Sequence, residues 1–118
     1  TYGRGRAPQA NADRIQYVRN YMDEHYRQKL SIEALASMSG YSYDRFRHLF
    51  RERYGVSPIR YLLLKRLDYA KSLLLHSQLH ISEVSAKSGF TNDAQFCNIF
   101  KRETGVTPRT FRKPGAGT

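Results

Sequence analysis

Cysteine is nearly absent from this chain. Its 118 residues hold one, Cys97, so no internal disulfide can form, and a zinc site built on thiolates is unsupported. The thiol reads as an ordinary free cysteine. Long apolar runs are missing too. Nothing approaches the roughly 18 apolar residues of a spanning helix, and no secretory pattern opens the chain, so the expected setting is cytoplasmic. There are four histidines, and neither they nor the carboxylates fall at the spacing of a metal site or a catalytic triad, which leaves enzymatic chemistry without a constellation. No cofactor is expected, and no metal. Acidic residues are scarce: 10 Asp and Glu stand against 20 Lys and Arg, giving a net charge of +10 and a pI near 10.0. That balance marks a partner for polyanions, nucleic acid first and a membrane surface second.

The length allows one compact domain, or two very small subdomains sharing an element. The chain opens at Thr1, and Gly3, Arg4, Gly5, Arg6 and Pro8 form a basic start over residues 1–10. This start reads as a flexible linker or tag remnant, with an effector or dimerisation domain expected upstream. Residues 114–118, Pro-Gly-Ala-Gly-Thr, read as a disordered tail.

The chain repeats itself. Phe46-Arg-His-Leu-Phe-Arg-Glu-Arg-Tyr-Gly-Val-Ser-Pro58 returns fifty residues later as Phe96-Cys-Asn-Ile-Phe-Lys-Arg-Glu-Thr-Gly-Val-Thr-Pro108. Upstream the offset is 49, pairing Ile32, Leu35, Ser39, Gly40 and Tyr41 with Ile81, Val84, Ser88, Gly89 and Phe90, so one residue is inserted between Gly89 and Phe96. Two copies are too few for a solenoid and describe a pair of similar modules.

Caps and periodicity give each copy the same local structure. Ser31 caps a helix over Ile32 to Met38 whose apolar face carries Ile32, Leu35 and Ala36, and Gly40 supplies the turn. Ser42 caps a second helix, Tyr43 to Tyr54, in which Phe46, Leu49 and Phe50 form one stripe, and Gly55 stops it. The second copy predicts helices over Ile81 to Ser88 and Asn92 to Thr104, with Gly89 between them and Phe96, Ile99 and Phe100 as the stripe. A helix, a glycine turn and a second amphipathic helix make a helix-turn-helix. Between the copies, Pro58 to His76 has neither glycine nor internal proline, and Leu62, Leu63, Leu67, Ala70, Leu73 and Leu74 keep a helical period. This predicts one linking helix of roughly 28 Å. An earlier helix, about Asn11 to Tyr26, presents Ile15, Val18 and Met22 as scaffold for the first module. The expected organisation is all-α: a first helix-turn-helix subdomain over 11–57, a linking helix over 58–76 and a second subdomain over 77–113.

In a helix that reads DNA, the face opposite the buried stripe must offer hydrogen-bonding groups. Rotation from Phe46 puts Asp44, Arg47, His48 and Arg51 there. Arg47 can donate a bidentate pair to guanine, Asp44 can accept from cytosine N4, His48 can donate or accept, and Arg51 suits phosphate. Asp44 in the first turn equally serves the helix dipole. Rotation from Phe96 exposes Ala94, Cys97, Asn98 and Lys101, with Gln95 and Arg102 at the flank. Asn98 and Gln95 can pair with adenine, Ala94 or Cys97 can touch a thymine methyl, and Lys101 can neutralise a phosphate. Thr91 and Asn92 read as caps, and a cap beside a phosphate can serve both ends. Ser42, Arg51, Thr91, Lys101 and Arg102 are therefore the expected phosphate contacts. The first module carries the richer base-reading face.

The repeat, together with Gly40-Tyr-Ser, Leu49-Phe-Arg, Gly55-Val-Ser-Pro58, Arg66-Leu, Ala70, Leu73-Leu74, Gly89-Phe90 and Phe111-Arg112, resembles the AraC/XylS family of transcription regulators across residues 15 to 113. The resemblance implies a fold of about seven helices in two subdomains. It also implies binding to double-stranded bacterial promoter DNA in the nucleoid, and activation through RNA polymerase. By position it assigns base reading to Asp44, Arg47 and His48 and to Ala94, Gln95 and Asn98. Two residues depart from the family pattern: Ser85 stands where alanine is usual, and Ala94 has no hydrogen-bonding side chain. A basic module binding DNA without sequence preference is the alternative, opposed by the varied polar residues at 44, 47, 48, 95 and 98. An amphipathic partner-binding or membrane helix rests on the leucines from Leu62 to Leu75 alone, which fit a core better.

Overall fold

The structure is a computed structural model that describes residues 11–113. The expected linker over 1–10 and tail over 114–118 lie outside the described residues. Among the described residues there are seven α-helices and no strand: α1 Asn11–His25, α2 Ile32–Ser39, α3 Tyr43–Tyr54, α4 Pro58–His76, α5 Ile81–Lys87, α6 Asp93–Thr104 and α7 Pro108–Arg112. The chain divides into two compact units within α4, after Leu63.

The first unit is built on faces set by helical spacing. Ile15, Val18 and Met22 of α1, Leu35 and Ala36 of α2, Phe46 and Phe50 of α3 and Leu62 of α4 bury together, with Tyr17, Tyr21, Tyr26, Leu49, Tyr54 and Tyr61 packed around them. At α1's end His25 donates from Nδ1 to the Tyr21 carbonyl at 2.9 Å and stacks on that tyrosine at 4.1 Å, which holds the imidazole against the last turn. The Ser31 Oγ accepts from Ala34 N–H at 2.9 Å, and the Ser42 Oγ accepts from Arg45 N–H at 3.2 Å, so both expected caps form. Gly55 ends α3 at φ 80°, as its counterpart Gly105 ends α6 at φ 88°. A Cβ at either would meet nothing within 4 Å, so what selects glycine there is the left-handed backbone.

A polar cluster closes the same unit. Tyr61 donates from Oη to the Asp23 carboxylate at 2.5 Å. Burial, and then this hydrogen bond, push the phenol up to about 12. Arg19 lies 3.7 Å from the other Asp23 oxygen with its guanidinium over the Tyr54 ring.

The second unit repeats the pattern with Leu67, Ala70 and Leu74 from α4, Val84 from α5 and Phe96 and Phe100 from α6, all buried. Its aromatic chain runs Phe90, Phe96, Phe100, Phe111 with centroids 4.9, 5.8 and 5.3 Å apart, which fixes α7 to α6. Arg112 donates from Nε to Leu74 O at 3.0 Å and from Nη1 to Leu79 O at 2.6 Å. It thus ties α7 to the end of α4 and to the loop that follows.

The expected bounds of α3 and α4 coincide with the observed ones. The expected α5 ran one residue too far. It ends at Lys87, because Gly89 at φ 101° turns the chain and hands the Phe90 N–H to Ser85 O at 3.0 Å and the Gly89 N–H to Ala86 O at 3.1 Å, the Schellman pattern. Asn92 is α6's cap and not its first residue. Its Oδ1 accepts from Gln95 N–H at 2.8 Å, while no cap role falls on Thr91.

Candidate nucleic-acid interface

Helix α3 buries Phe46 and Phe50 completely, and this determines what points outward. Asp44, Arg47, His48 and Arg51 are all exposed. Together with Ser57, which opens α4, they line one concave surface of about 290 Å³. Sequence reasoning brought the first four to one face. Ser57 was missed: its Oγ accepts from Arg60 N–H at 3.2 Å as a cap, and the Ser-Pro pair at a helix start was the available signal.

The groups of this surface hold one another loosely. Arg47 lies 3.5 Å from Asp44, with side chains 51% and 91% exposed, and its guanidinium sits 5.3 Å from the centroid of the exposed Tyr43 ring. His48 Nε2 is 3.9 Å from Glu52. Contacts this open contribute little to stability and leave both donors available to a ligand. Tyr43 too was missed, although its spacing of four from Arg47 puts the two on one stripe. The Ser42 hydroxyl accepts as a cap, so its own proton stays free to donate to an anion.

On α6, Ala94, Gln95, Asn98, Lys101 and Arg102 are exposed and Thr91 is exposed just before the cap, as the rotation from Phe96 requires. Two details differ from the expectation. Arg102 is paired with Glu103 at 3.2 Å. Cys97 is half-buried, and burial first and the Asp93 charge second push its thiol up, so it offers a neutral, largely apolar surface.

Among the described residues no three His, Cys, Asp or Glu gather as metal ligands would, and no helix is long and apolar enough to cross a membrane. What the geometry presents is one amphipathic helix per unit, its polar face outward and its N-terminus capped.

A helix-turn-helix domain family model matches residues 35–114, about two thirds of the chain. The chain belongs to the AraC/XylS family. Among its relatives, the probable transcriptional regulator LumQ of Photobacterium leiognathi is 33% identical over 95 residues, covering 80% of this chain and 38% of its own length. The transcriptional activator RhaR of Cronobacter sakazakii is 46% identical over 67 residues, covering 57% of this chain and 24% of its own. The chain therefore spans between a quarter and two fifths of these AraC/XylS relatives. Among solved structures, the DNA-binding domain of the global transcriptional factor AdpA in complex with a target DNA matches with a TM-score of 0.79 at 28% identity, over 83% of this chain and 88% of that one. The all-helical architecture is thus that of AraC-type DNA-binding domains.

Proposed function

We propose that this chain is the sequence-reading, double-stranded DNA-binding part of an AraC-type transcription regulator, with α3 and α6 inserted into successive major grooves. One observation carries the reading: in each unit a fully buried Phe pair, Phe46/Phe50 and Phe96/Phe100, turns a varied polar face to solvent. The major groove admits one helix and displays a distinct donor and acceptor pattern for each base pair. In this reading Asp44, Arg47 and His48 meet bases in one half of the site and Ala94, Gln95 and Asn98 in the other. Ser42, Arg51, Thr91, Lys101 and Arg102 meet phosphates. Because the two faces differ, the site has no palindrome within its roughly 20 base pairs. Support for the duplex as ligand comes from the AdpA domain, solved with its target DNA.

Activation through RNA polymerase, an upstream effector or dimerisation domain, and a place in the bacterial nucleoid belong to the same proposal, supported by relatives such as the activator RhaR. The role is one of binding and not of catalysis. Selection from a pool of random duplexes tests it, followed by salt titration on the winner. An enriched, non-palindromic site about two turns long is the expected result. Binding with a steep salt dependence and no enriched sequence would replace it with a non-specific basic module.

A further inference from the structure

The second unit has a cationic cleft whose walls come from the start of α5 and from α7. It is about 440 Å³ in volume and is lined by His80, Ile81, Arg109, Arg112 and Lys113. Among the described residues no Asp or Glu lines it, the neighbouring Glu83 carboxylate being engaged by the His80 N–H at 2.9 Å, and Arg109 and Lys113 are exposed. Arg112 forms part of the wall with Nε and Nη1 engaged by the Leu74 and Leu79 carbonyls, while its Nη2 is buried without a hydrogen-bond partner. Carbonyls do not neutralise a guanidinium, so one fixed positive charge, Arg112, and two exposed ones, Arg109 and Lys113, border this cleft.

The first unit has no such cleft chemistry. The positions matching Arg109, Arg112 and Lys113 are Ile59, Leu62 and Leu63, and those matching His80 and Ile81 are Ser31 and Ile32. The recognition helices differ in the opposite sense. Helix α3 carries Arg45, Arg47, Arg51 and Arg53, whereas α6 carries only Lys101 and Arg102, the latter already paired with Glu103. Cations thin out on the second recognition helix and gather on α7, which Phe111 packs against Phe100 of α6 at 5.3 Å.

We propose that this cleft is an anion site for a backbone phosphate of the duplex, with Arg109 and Lys113 as its donors and Arg112 as the fixed charge behind them. The inference rests on the DNA-binding reading above and extends it to α7, outside the residues assigned to base or phosphate contact. A phosphate suits an arginine-walled cleft, because its oxygens accept from the guanidinium fork and its charge offsets the neighbouring cations. Neutralising phosphates on this side compensates for a recognition helix with few cations of its own.

The test is salt-dependent binding of the whole chain and of Arg109→Gln/Lys113→Gln, on a selected site and on a random-sequence duplex. Both substituted side chains are exposed, and an unchanged thermal transition confirms the fold. The slope of log affinity against log salt should fall by about 2 on both duplexes, since each lost phosphate contact removes about 0.9, with base preferences unaltered. An unchanged slope would overturn the assignment, and so would a changed base preference. Unaltered DNA binding with lost promoter activation would overturn it by giving the cleft to an acidic protein. If the wild type enriches no sequence, the sequence-reading proposal fails, yet the slope on the random duplex still decides whether the cleft binds phosphate.

Discussion

The first unit ends the first helix of its helix-turn-helix, α2, with Ser39 buried and fully used: the hydroxyl donates to Ala36 O at 2.6 Å and accepts from Tyr41 N–H at 3.1 Å. The second unit has serine at the equivalent position, Ser88, also buried, but there the Phe90 N–H is taken by the Ser85 carbonyl and the Ser88 hydroxyl has no partner. Ser85 itself stands where the first unit has Ala36, and its buried hydroxyl is unpartnered as well. The same helix-turn-helix pattern thus closes in two ways, and the version with one extra turn residue leaves two buried hydroxyls unsatisfied. The outward faces diverge too, from Asp44, Arg47, His48 and Arg51 to Ala94, Cys97, Asn98 and Lys101. What persists is the buried aromatic stripe. Packing tolerates little change, whereas a turn and a solvent-facing surface can change without loss of the fold.

Substitutions can break this comparison at each level. The largest effect is expected at the shared stripe. Phe46→Ala and Phe96→Ala each remove a fully buried ring and should destabilise their own unit by about 3–5 kcal/mol, seen by hydrogen exchange as loss of protection in that unit first. Next come the recognition faces. Under the proposed reading, Arg47→Ala should lose about 1–3 kcal/mol of discrimination in its half of the site, whereas Ala94→Gly, which removes one methyl, should leave base preference almost unchanged, as selection on random duplexes would show. A smaller effect belongs to the turns. Ser85→Ala, which installs the first unit's own residue, should stabilise the second unit by about 1 kcal/mol, and Ala36→Ser should destabilise the first by a similar amount. Equal and opposite shifts in denaturant midpoint would confirm that the unpartnered hydroxyl is the cause.

An effect confined to one pH window is expected at high pH. The Tyr61 phenol is raised from its ordinary 10 to about 12 in the folded chain, so the folded state holds the proton that the unfolded state releases first. Its stabilisation is complete below pH 10 and is lost as pH rises from 10 to about 12. Tyr61→Phe should flatten that part of the stability curve for the first unit, where Tyr61 meets Asp23.

The helices were legible in the sequence because each signal was local: Ser31, Ser42 and Asn92 as caps, Gly55 as a stop, and Phe46, Leu49 and Phe50 at helical spacing. The family was legible because the repeat carried these signals twice. What stayed hidden depends on contacts distant in sequence. The Tyr61–Asp23 hydrogen bond spans 38 residues, and Arg112 reaches the Leu74 and Leu79 carbonyls from α7. The pairing of Arg102 with Glu103 and the half-burial of Cys97 depend on side-chain placement that a helical rotation does not supply. The end of α5 was misjudged because it depends on the Phe90 N–H reaching the Ser85 carbonyl across the Gly89 turn, and that choice is made in three dimensions.

The most direct test of the central proposal, that two unequal faces read two halves of one site, is selection on random duplexes with wild type, Arg47→Ala and Asn98→Ala in parallel. The expected result is an asymmetric site in which Arg47→Ala erases base preference in one half only, and Asn98→Ala weakens preference in the other half only. Loss spread evenly over both halves, or no change in preference with either variant, would contradict it.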